Sequence, residues 1–328
     1  MADDPVMRDR VLLIAAFAAV YLVWGSTYLA IAWAVEGVPP MLMIGARCLI
    51  AGGILYGWAR WRGSSRPRAA DWLAALAVGT LLFVTGQAML AWAETRIASG
   101  PAAVLVATEP MFIALFAWRG GWLLGIPKGE RPSRLVVLAM MAGLVGVALM
   151  AAPGGMGAVD PWGAGAALVA SASWSAGILR TRARPGVTSS GAAGMQLLSG
   201  GVVLLLMSLV AGGLGESESL VVTTRSALAF GYLVIFGSVI TFGAYIWLLD
   251  RVGAARLSTH AYVNPVVAVA LGVGLAGEPL TPTLLGASTL ILVAVVLMVR
   301  RRAPAVQSLP ARRGVILQSS PCSSSVTT

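Results

Sequence analysis

The sequence predicts an all-α polytopic membrane protein, in which ten transmembrane helices form two inverted five-helix repeats around a central cavity. Three observations support this prediction: an apolar composition, a regular succession of long apolar segments, and a similarity between the two halves of the chain. Hydrophobic residues make up 58% of the chain and charged residues 11%, and the mean hydropathy is +0.85. Soluble globular domains are far more polar, so the composition places most of the chain in a bilayer.

Ten apolar segments are each long enough to cross a hydrocarbon layer about 30 Å thick at the helical rise of about 1.5 Å per residue. Helices are favoured because unpaired backbone amides are costly in lipid and the alternating pattern of barrel strands is missing. The first segment is too long for a cleaved signal peptide and is expected to remain a helix. The predicted segments are 10–34, 41–60, 70–93, 101–119, 134–152, 161–180, 190–211, 226–249, 254–276 and 282–299.

The basic residues predict the orientation of these segments. If the N-terminus is cytoplasmic, 20 of the 23 Lys and Arg residues fall in cytoplasmic segments, whereas the opposite side holds Arg96 and Arg225. This positive-inside bias predicts an even number of spans with both termini cytoplasmic, and it assigns the net charge of +10 to topology rather than to nucleic-acid binding. Residues 303–328, rich in Ser, Pro and Arg, are predicted to form a disordered cytoplasmic tail.

The two halves of the chain contain similar motifs in the same order. The segment ASGPAAVLVATEP (98–110) aligns with GAARLSTHAYVNP (253–265), and VYLVWGSTYLA around Trp24 aligns with SASWSAGIL around Trp174. This similarity predicts a first repeat at residues 1–152 with helices 1 to 5, and a second at 153–302 with helices 6 to 10. Because five is odd, the second repeat enters the membrane with the opposite orientation, an arrangement found in many secondary transporters.

Four stretches resemble one transporter family: WGSTYLAIAWAVEGVPPMLMIGARCLIAGG, ASGPAAVLVATEPMF, SASWSAGIL and YVNPVVAVALGVGLAGEPLT. They are similar to the EamA branch of the drug/metabolite transporter superfamily, closest to its YedA-like members, over nearly all of residues 10–300. The resemblance implies a ten-helix inner-membrane transporter with a cavity between its halves, generally an exporter of small metabolites, amino acids or drugs. Many relatives have a neutral residue where this chain has Glu109, so the resemblance implies no role for this glutamate.

Pro110 and Pro265 are expected to interrupt the fourth and ninth helices near mid-membrane. Proline removes a backbone hydrogen bond and crowds the preceding turn. Paired interruptions at equivalent places in two repeats indicate a transport site, because the freed carbonyl groups need a cavity lined by water or protein. The alternative is that both prolines only curve their helices for packing.

Glu109 has two candidate partners at its depth. At the helical rise, Glu109 lies roughly 12 Å and Arg47 roughly 10 Å from the outer ends of their helices, and Gln87 reaches a similar level. Charges in lipid cost about 2.5 to 3.5 kcal/mol each, so they normally face a partner or water. Two interpretations follow: an Arg47–Glu109 ion pair that stabilises the first half, or a proton-coupling role in which Glu109 takes up a proton when the outside opens.

The ninth helix adds His260 and Asn264, which lie on one helical face because they are four residues apart, and which are expected in the inner half of the bilayer. His260 is the only histidine, which excludes a multi-histidine metal or haem site. Either it lines the cavity and titrates there, or it forms an interhelical hydrogen bond. Asn264 suits both the capping of backbone freed by Pro265 and the binding of a polar substrate group.

Aromatic side chains are the remaining candidates for the cavity lining. Trp24 lies about 20 Å from the cytoplasmic end of the first helix and Trp174 about 20 Å from the outer end of the sixth, so the two are predicted on opposite sides of the midplane. A pair of rings there could stack on aromatic or cationic solutes. Tyr245, Trp92 and Trp247 are possible additions, although their positions near span ends equally fit the interfacial aromatic belt.

We therefore expect a secondary active transporter of the bacterial inner membrane that exports a small-molecule substrate by alternating access. The alternatives are an uptake or facilitative carrier for amino acids or sugar derivatives, or a non-transport membrane scaffold. No enzyme, cofactor or metal site is predicted, since no nucleophile and base, metal cluster or nucleotide-binding loop is found. The expected partners are the substrate and the lipid bilayer, with no nucleic acid, and the expected state is a monomer or homodimer.

Overall fold

The computed structural model describes residues 5–119, 131–151, 159–181, 186–210 and 221–300, and the regular structure in these ranges is all helical. The predicted tail at 303–328 lies outside the described residues. Three π-helical segments, Ala19–Val23, Thr80–Ala88 and Leu233–Ile240, join α1 to α2, α4 to α5 and α11 to α12. The α-helices are α1 (Pro5–Ala18), α2 (Trp24–Ala34), α3 (Pro40–Trp61), α4 (Ala69–Gly79), α5 (Met89–Ala93), α6 (Ser99–Val106), α7 (Glu109–Arg119), α8 (Arg134–Ala151), α9 (Pro161–Arg180), α10 (Ser189–Val210), α11 (Thr224–Tyr232), α12 (Thr241–Leu257), α13 (His260–Ala276) and α14 (Pro282–Arg300).

Within the described ranges, seven continuous helical stretches are long and apolar enough to cross a membrane. The chain is therefore an all-helical, multi-pass membrane protein, as its composition predicts. Three shorter apolar helical stretches cover residues 134–146, 263–276 and 282–294. The seven long stretches are Asp9–Ala34, Pro40–Trp61, Ala69–Ala93, Ser99–Arg119, Pro161–Arg180, Ser189–Val210 and Thr224–Gly253.

Several helix starts follow from local sequence chemistry. Pro40 and Pro161 each occupy the first turn of a helix, where a missing N–H costs nothing and the fixed φ angle fits. The Asp160 side chain caps α9 by accepting a hydrogen bond from the N–H of Trp162 at 2.9 Å. This hydrogen bond, aided by Arg96, lowers the pKa of the Asp160 carboxyl below its usual value.

The fourth predicted span is divided by a turn at Ala107–Thr108, between α6 and α7. Glu109 and Pro110 are the first two residues of α7, where proline is tolerated because the first N–H groups of a helix have no intrahelical partner. The Thr108 hydroxyl turns back and donates to the carbonyl of Leu105 at 2.7 Å. The interruption therefore brings Glu109 to the start of a helix in the protein interior.

The ninth predicted span, 254–276, differs from the structure at its start. The chain remains largely helical through Leu257, with a left-handed residue at Gly253 (φ 76°), and α13 begins only at His260. The turn lies at Ser258–Thr259, and Pro265 lies inside continuous α13 rather than at a break. Gly253 kinks α12, since glycine adopts positive φ at little cost, and a hydropathy profile registers neither this kink nor the turn at Ser258–Thr259.

Two groups of helices face each other across the centre of the molecule. The first helix group consists of α4 to α7 and α9, which pack on one another. The second helix group consists of α1, α2 and α11 to α13. Helices α3 and α10 pack together and contact both groups, and their close approach depends on small residues, since a Cβ at Gly52 would come within 2.8 Å of the backbone nitrogen of Leu198.

The two groups pack differently at their two ends. We call the end that carries the Arg96 and Arg225 loops the outer face, following the positive-inside prediction. There, α6 of the first group packs on both α13 and α2 of the second. Below the interruption, α7 packs chiefly on α9 of its own group and on α14. The groups are thus joined most extensively on the outer side of the Ala107–Thr108 turn.

Candidate functional site

A cavity lies between the two helix groups at the level of the interruption in the fourth span. Its volume is about 50 Å³, measured as the space open to the centres of water molecules, which is room for a few waters. Sites for drug-sized ligands are typically about 300 to 1,000 Å³, so this conformation has no room for such a solute. The structure places seven of the predicted site residues in the lining: Trp24, Arg47, Gln87, Glu109, Trp174, His260 and Asn264.

Glu109 faces His260 across the cavity. The Glu109 Oε2 atom lies 3.6 Å from the His260 Nε2 atom, and the two side chains are only 2% and 6% exposed. Glu109 belongs to α7 in the first helix group and His260 to α13 in the second, and each is the first residue of its helix. An acid and a base from the two groups therefore meet at one level, although the sequence predicted Glu109 in the outer half of the bilayer and His260 in the inner half. Depth counted from residue 254 misplaces His260, because the chain turns at Ser258–Thr259 and α13 begins only at His260.

Asn264 holds His260 from the other side. Judged by its hydrogen-bond partners, the Asn264 amide nitrogen donates to the carbonyl oxygens of His260 at 3.2 Å, Val20 at 3.2 Å and Tyr21 at 3.0 Å. Val20 and Tyr21 lie in a π-helical segment. In this orientation the amide oxygen faces His260 Nδ1 at 3.4 Å, which favours the imidazole tautomer with its proton on Nδ1. The Nε2 lone pair of a neutral His260 then points to Glu109.

The predicted Arg47–Glu109 ion pair is not formed. Arg47 is buried in the same cavity, but its Nε donates to the hydroxyl of Ser238 at 2.7 Å, a residue of the second helix group. Depth along a helix specifies height in the membrane but not which helical faces meet, so equal depth did not identify the partner. The Arg47 Nη1, Gln87 Oε1 and Glu109 Oε1 atoms are buried without a hydrogen-bond partner in the structure.

These three unpartnered atoms provide one donor and two acceptors at the cavity wall. Buried polar atoms without a partner are uncommon in proteins because each costs about 1 to 3 kcal/mol. A ligand with both acceptor and donor groups would satisfy them, and so would the few waters that the cavity can hold. The wall is therefore chemically suited to a small polar or zwitterionic group.

Aromatic rings form the apolar part of the wall. The Trp24 ring lies edge-on to Trp174 with centroids 5.5 Å apart, and 4.7 Å from the ring of Tyr245. The Trp24 indole N–H donates to the carbonyl of Gly237 at 3.0 Å, which ties the first span to the eighth. Tyr245 is buried behind Trp24 and supports it rather than lining the cavity.

Trp92 and Trp247 lie away from this cluster. Each has an arginine guanidinium over its ring near a span end. Arg96 lies 4.6 Å from the Trp92 ring centroid, and Arg251 lies 3.8 Å from that of Trp247. Both positions agree with the interfacial alternative, in which an aromatic ring and a cation lie together near the lipid headgroups.

Sequence reasoning missed several lining residues, namely Thr27, Tyr28, Ile31, Leu90 and Val106. The first three follow Trp24 at helical spacings of three, four and seven residues, so they share its face of α2. Once Trp24 was selected, this periodicity could have identified them. Leu90 and Val106 are ordinary apolar residues of apolar segments, and nothing in the sequence distinguishes them.

Comparison with known proteins gives a consistent result over almost the whole chain. The sequence profile of the EamA-like transporter family matches residues 11–152 and again 161–300. The chain is 38% identical over 278 residues to the uncharacterized inner membrane transporter YedA of Escherichia coli strain K12, covering 84% of this chain and 87% of the relative.

More distant relatives extend this result. Protein PecM of Dickeya dadantii is 28% identical, over 85% of this chain and 91% of that protein. A probable terminal-alkyne amino-acid exporter of Streptantibioticus cattleyicolor is 25% identical, over 87% of this chain and 93% of that protein. A solved crystal structure shares the fold with a TM-score of 0.61 and 22% identity, covering 88% of this chain and 97% of that one.

Proposed function

Because the chain belongs to the EamA-like transporter family, we propose that it is a secondary active transporter of the bacterial inner membrane that exports a small solute by alternating access. The resemblance drawn from the sequence motifs is thereby confirmed at the level of the family. The observation that carries the proposal is the approach of two buried side chains, Glu109 and His260, in a small cavity between two helix groups. A proton on this pair supplies the coupling.

The proposal includes ten spans arranged as two inverted repeats, 1–152 and 153–302, with both termini in the cytoplasm. Seven long and three shorter apolar helical stretches support the number of spans. Two consecutive matches to one family profile support the division of the chain. The strong asymmetry of Lys and Arg supports the orientation.

The coupling proton follows from hydrogen-bond chemistry at the pair. With the Nδ1 proton directed to Asn264, the Nε2 atom and the facing Glu109 carboxylate are both acceptors and would repel. One proton between them resolves this, either as a carboxyl group that donates to the imidazole or as an imidazolium that donates to the carboxylate. We infer that the pair binds one proton when its 3.6 Å separation shortens to hydrogen-bond distance, and that release of this proton favours separation of the two helix groups.

Alternating access follows from the size and position of the cavity. A space of about 50 Å³ must expand before a metabolite fits, and the helix groups on its two sides are the parts that can separate. Below the interruption, α7 packs mainly within its own group, and the two groups are joined there by ring contacts such as that of Phe83 with Phe242, whose centroids are 5.2 Å apart. We infer that this conformation is closed to the outside and opens inward when these contacts separate.

The substrate class follows from the wall of the cavity. The wall offers one hydrogen-bond donor and two acceptors beside the edge-on ring pair of Trp24 and Trp174. Such a wall fits a small solute with a polar or zwitterionic end and an apolar or aromatic remainder. Amino acids, small metabolites and amphiphilic drugs meet this description. The relative named as an amino-acid exporter supports both the class and the outward direction.

Counterflow in proteoliposomes tests the proposal. Purified protein is reconstituted, loaded with one unlabelled solute from a panel of amino acids, metabolites and cationic drugs, and assayed for uptake of the labelled solute at two pH values. Exchange of at least one solute with a pH-dependent rate is expected. A protein that is folded in lipid yet exchanges nothing from a broad panel would instead support a scaffold.

A further inference from the structure

Glu278 joins the two helix groups at the outer face. It follows α13 of the second group, and its carboxylate accepts hydrogen bonds at the start of α6 in the first group. The Ser99 backbone N–H and hydroxyl donate to Oε1 at 2.9 and 2.5 Å, and the Gly100 N–H donates to Oε2 at 3.0 Å. We call this set of three hydrogen bonds the outer latch.

The local backbone is shaped for this contact. Gly277 has a left-handed conformation (φ 68°) that ends α13, and the Glu278 N–H returns to the carbonyl of Gly272 at 3.0 Å. A Cβ at Gly272 would come within 2.4 Å of Glu278 Oε2, and one at Gly100 within 3.2 Å. The carboxylate therefore lies in a cradle that only glycine leaves open on both sides.

The charge of Glu278 suits the helix end that it contacts. The first N–H groups of a helix have no intrahelical partner and carry a partial positive charge, so a carboxylate is favoured there. The Ser99 side chain is fully buried beneath the latch. Hydrogen bonds to an ionised group are roughly twice as strong as neutral ones, which makes this a substantial link between the groups.

Two ion pairs of the outer face, among the residues that the structure describes, stay within one helix group. Arg96 bonds Asp160 at 3.2 Å, joining the loops that precede α6 and α9 of the first group. Glu36 bonds Arg225 at 3.0 Å, joining the segment after α2 to the start of α11 in the second group. In contrast, the outer latch crosses between the groups, so it must break if they separate on this side.

We propose that Glu278 is an outer gating residue, whose carboxylate holds the start of the fourth span and closes the outer side of the cavity until transport opens it. This rests on the proposed alternating access. An outer cavity of about 190 Å³ adjoins the latch and includes Glu278, Thr281 and Thr283 in its lining. Water entering there can hydrate the carboxylate and the freed N–H groups, which makes release reversible.

Labelling of a cavity residue from the outside tests the proposal without a substrate. Val106 lines the central cavity and receives a reporter, Val106→Cys, in a background with Cys48→Ala and Cys322→Ser. Sealed right-side-out vesicles are treated with a membrane-impermeant maleimide, and the labelling rate is measured. Glu278→Gln keeps the size but removes the charge, and it is expected to raise the rate about tenfold, within the usual range of conformational coupling.

Glu36→Gln is the matched control, because it removes an outer-face carboxylate whose partner lies in the same helix group. Its labelling rate is expected to equal that of the parent. Ser99→Ala removes one donor of the latch, and it is also expected to raise the labelling rate. It replaces Glu278→Gln in the test if that variant does not fold. An unchanged rate in the folded latch variants, or an equal increase in Glu36→Gln, overturns the proposal. Counterflow of the parent protein is scored separately, so failure of transport is distinguishable from failure of the latch.

Discussion

The Oε2 atom of Glu109 lies 3.6 Å from the Nε2 atom of His260, and this contact links the fourth and ninth predicted spans, which occupy equivalent positions in the two predicted repeats. The pair lies between the two helix groups and is almost completely buried. A proton that binds here therefore changes the attraction between the parts that must move. This relationship provides the first of four predictions.

Glu109→Gln is expected to uncouple transport from the proton gradient. Efflux by the parent should accelerate when the outside is made acidic, since a proton enters as the solute leaves. In the variant, the increase in efflux rate caused by the acidic outside should be smaller by roughly tenfold or more. Counterflow, which needs no net proton movement, should persist. Glu36→Gln is the control, because Glu36 is a carboxylate that pairs with Arg225 on the outer face and lies outside the cavity lining. An unaltered response to the gradient in folded Glu109→Gln would exclude the coupling role.

Asn264→Leu is expected to destabilise the protein by about 1 to 3 kcal/mol. The variant keeps the side-chain size but leaves the carbonyls of Val20 and Tyr21 without the amide that donates to them. Thr241→Val is a suitable comparison, because the Thr241 hydroxyl is buried without a hydrogen-bond partner in the structure and its removal should be nearly neutral. Thermal unfolding in detergent, followed by size-exclusion chromatography, measures both. Equal melting temperatures for the two variants would contradict the proposed role of the amide.

Trp24→Phe is expected to weaken binding of aromatic or cationic solutes. The smaller ring loses the hydrogen bond to Gly237 and part of its contact with Trp174, and aromatic pairs contribute about 0.5 to 1.5 kcal/mol beyond area burial. The half-saturation concentration in counterflow should rise a few-fold to about tenfold. Trp162→Phe alters an exposed ring at the start of α9 and should have no effect. A similar change in both variants would argue against a binding role for Trp24.

Gly52→Ala and Gly53→Ala should behave oppositely, although the residues are neighbours in α3. A Cβ at Gly52 would lie 2.8 Å from the Leu198 backbone nitrogen and 3.0 Å from the Gly194 carbonyl oxygen, whereas a Cβ at Gly53 meets nothing within 4 Å. Overpacking typically costs about 1 to 3 kcal/mol, so Gly52→Ala should lower the melting temperature. Gly53→Ala should match or slightly exceed the parent, since alanine favours helix. Comparable losses in both would show that α3 and α10 do not pack this closely in the membrane.

Much of the site could be predicted from the sequence because a membrane makes polar residues conspicuous. Glu109, Arg47, Gln87, His260 and Asn264 lie in segments that are otherwise apolar, and a polar group in such a segment needs water or a partner. The structure brings all five to one cavity. Burial cost is not sufficient by itself, because Gln196 also lies in an apolar span and is buried, yet it does not line this cavity.

The partners of these residues could not be predicted in the same way. Helical rise gives Glu109 and Arg47 similar depths, yet Glu109 faces His260 and Arg47 bonds Ser238. Which faces of two helices meet depends on the packing of all helices together, and a single sequence does not contain that information in readable form. The same reason explains why the contact of Glu278 with Ser99 was missed, although both residues lie at predicted span ends.

The amino-acid sequence by itself determined that the chain is a helical, multi-pass membrane protein of the EamA-like family. Composition, the length of apolar segments and the order of motifs can all be read along the chain, without knowing which segments contact each other. Only the tertiary structure decided that His260 faces Glu109, that α13 begins after a turn at Ser258–Thr259, and that Glu278 accepts hydrogen bonds at the start of α6. These features depend on side-chain direction, on the left-handed backbone of Gly253 and on distances between segments far apart in the chain.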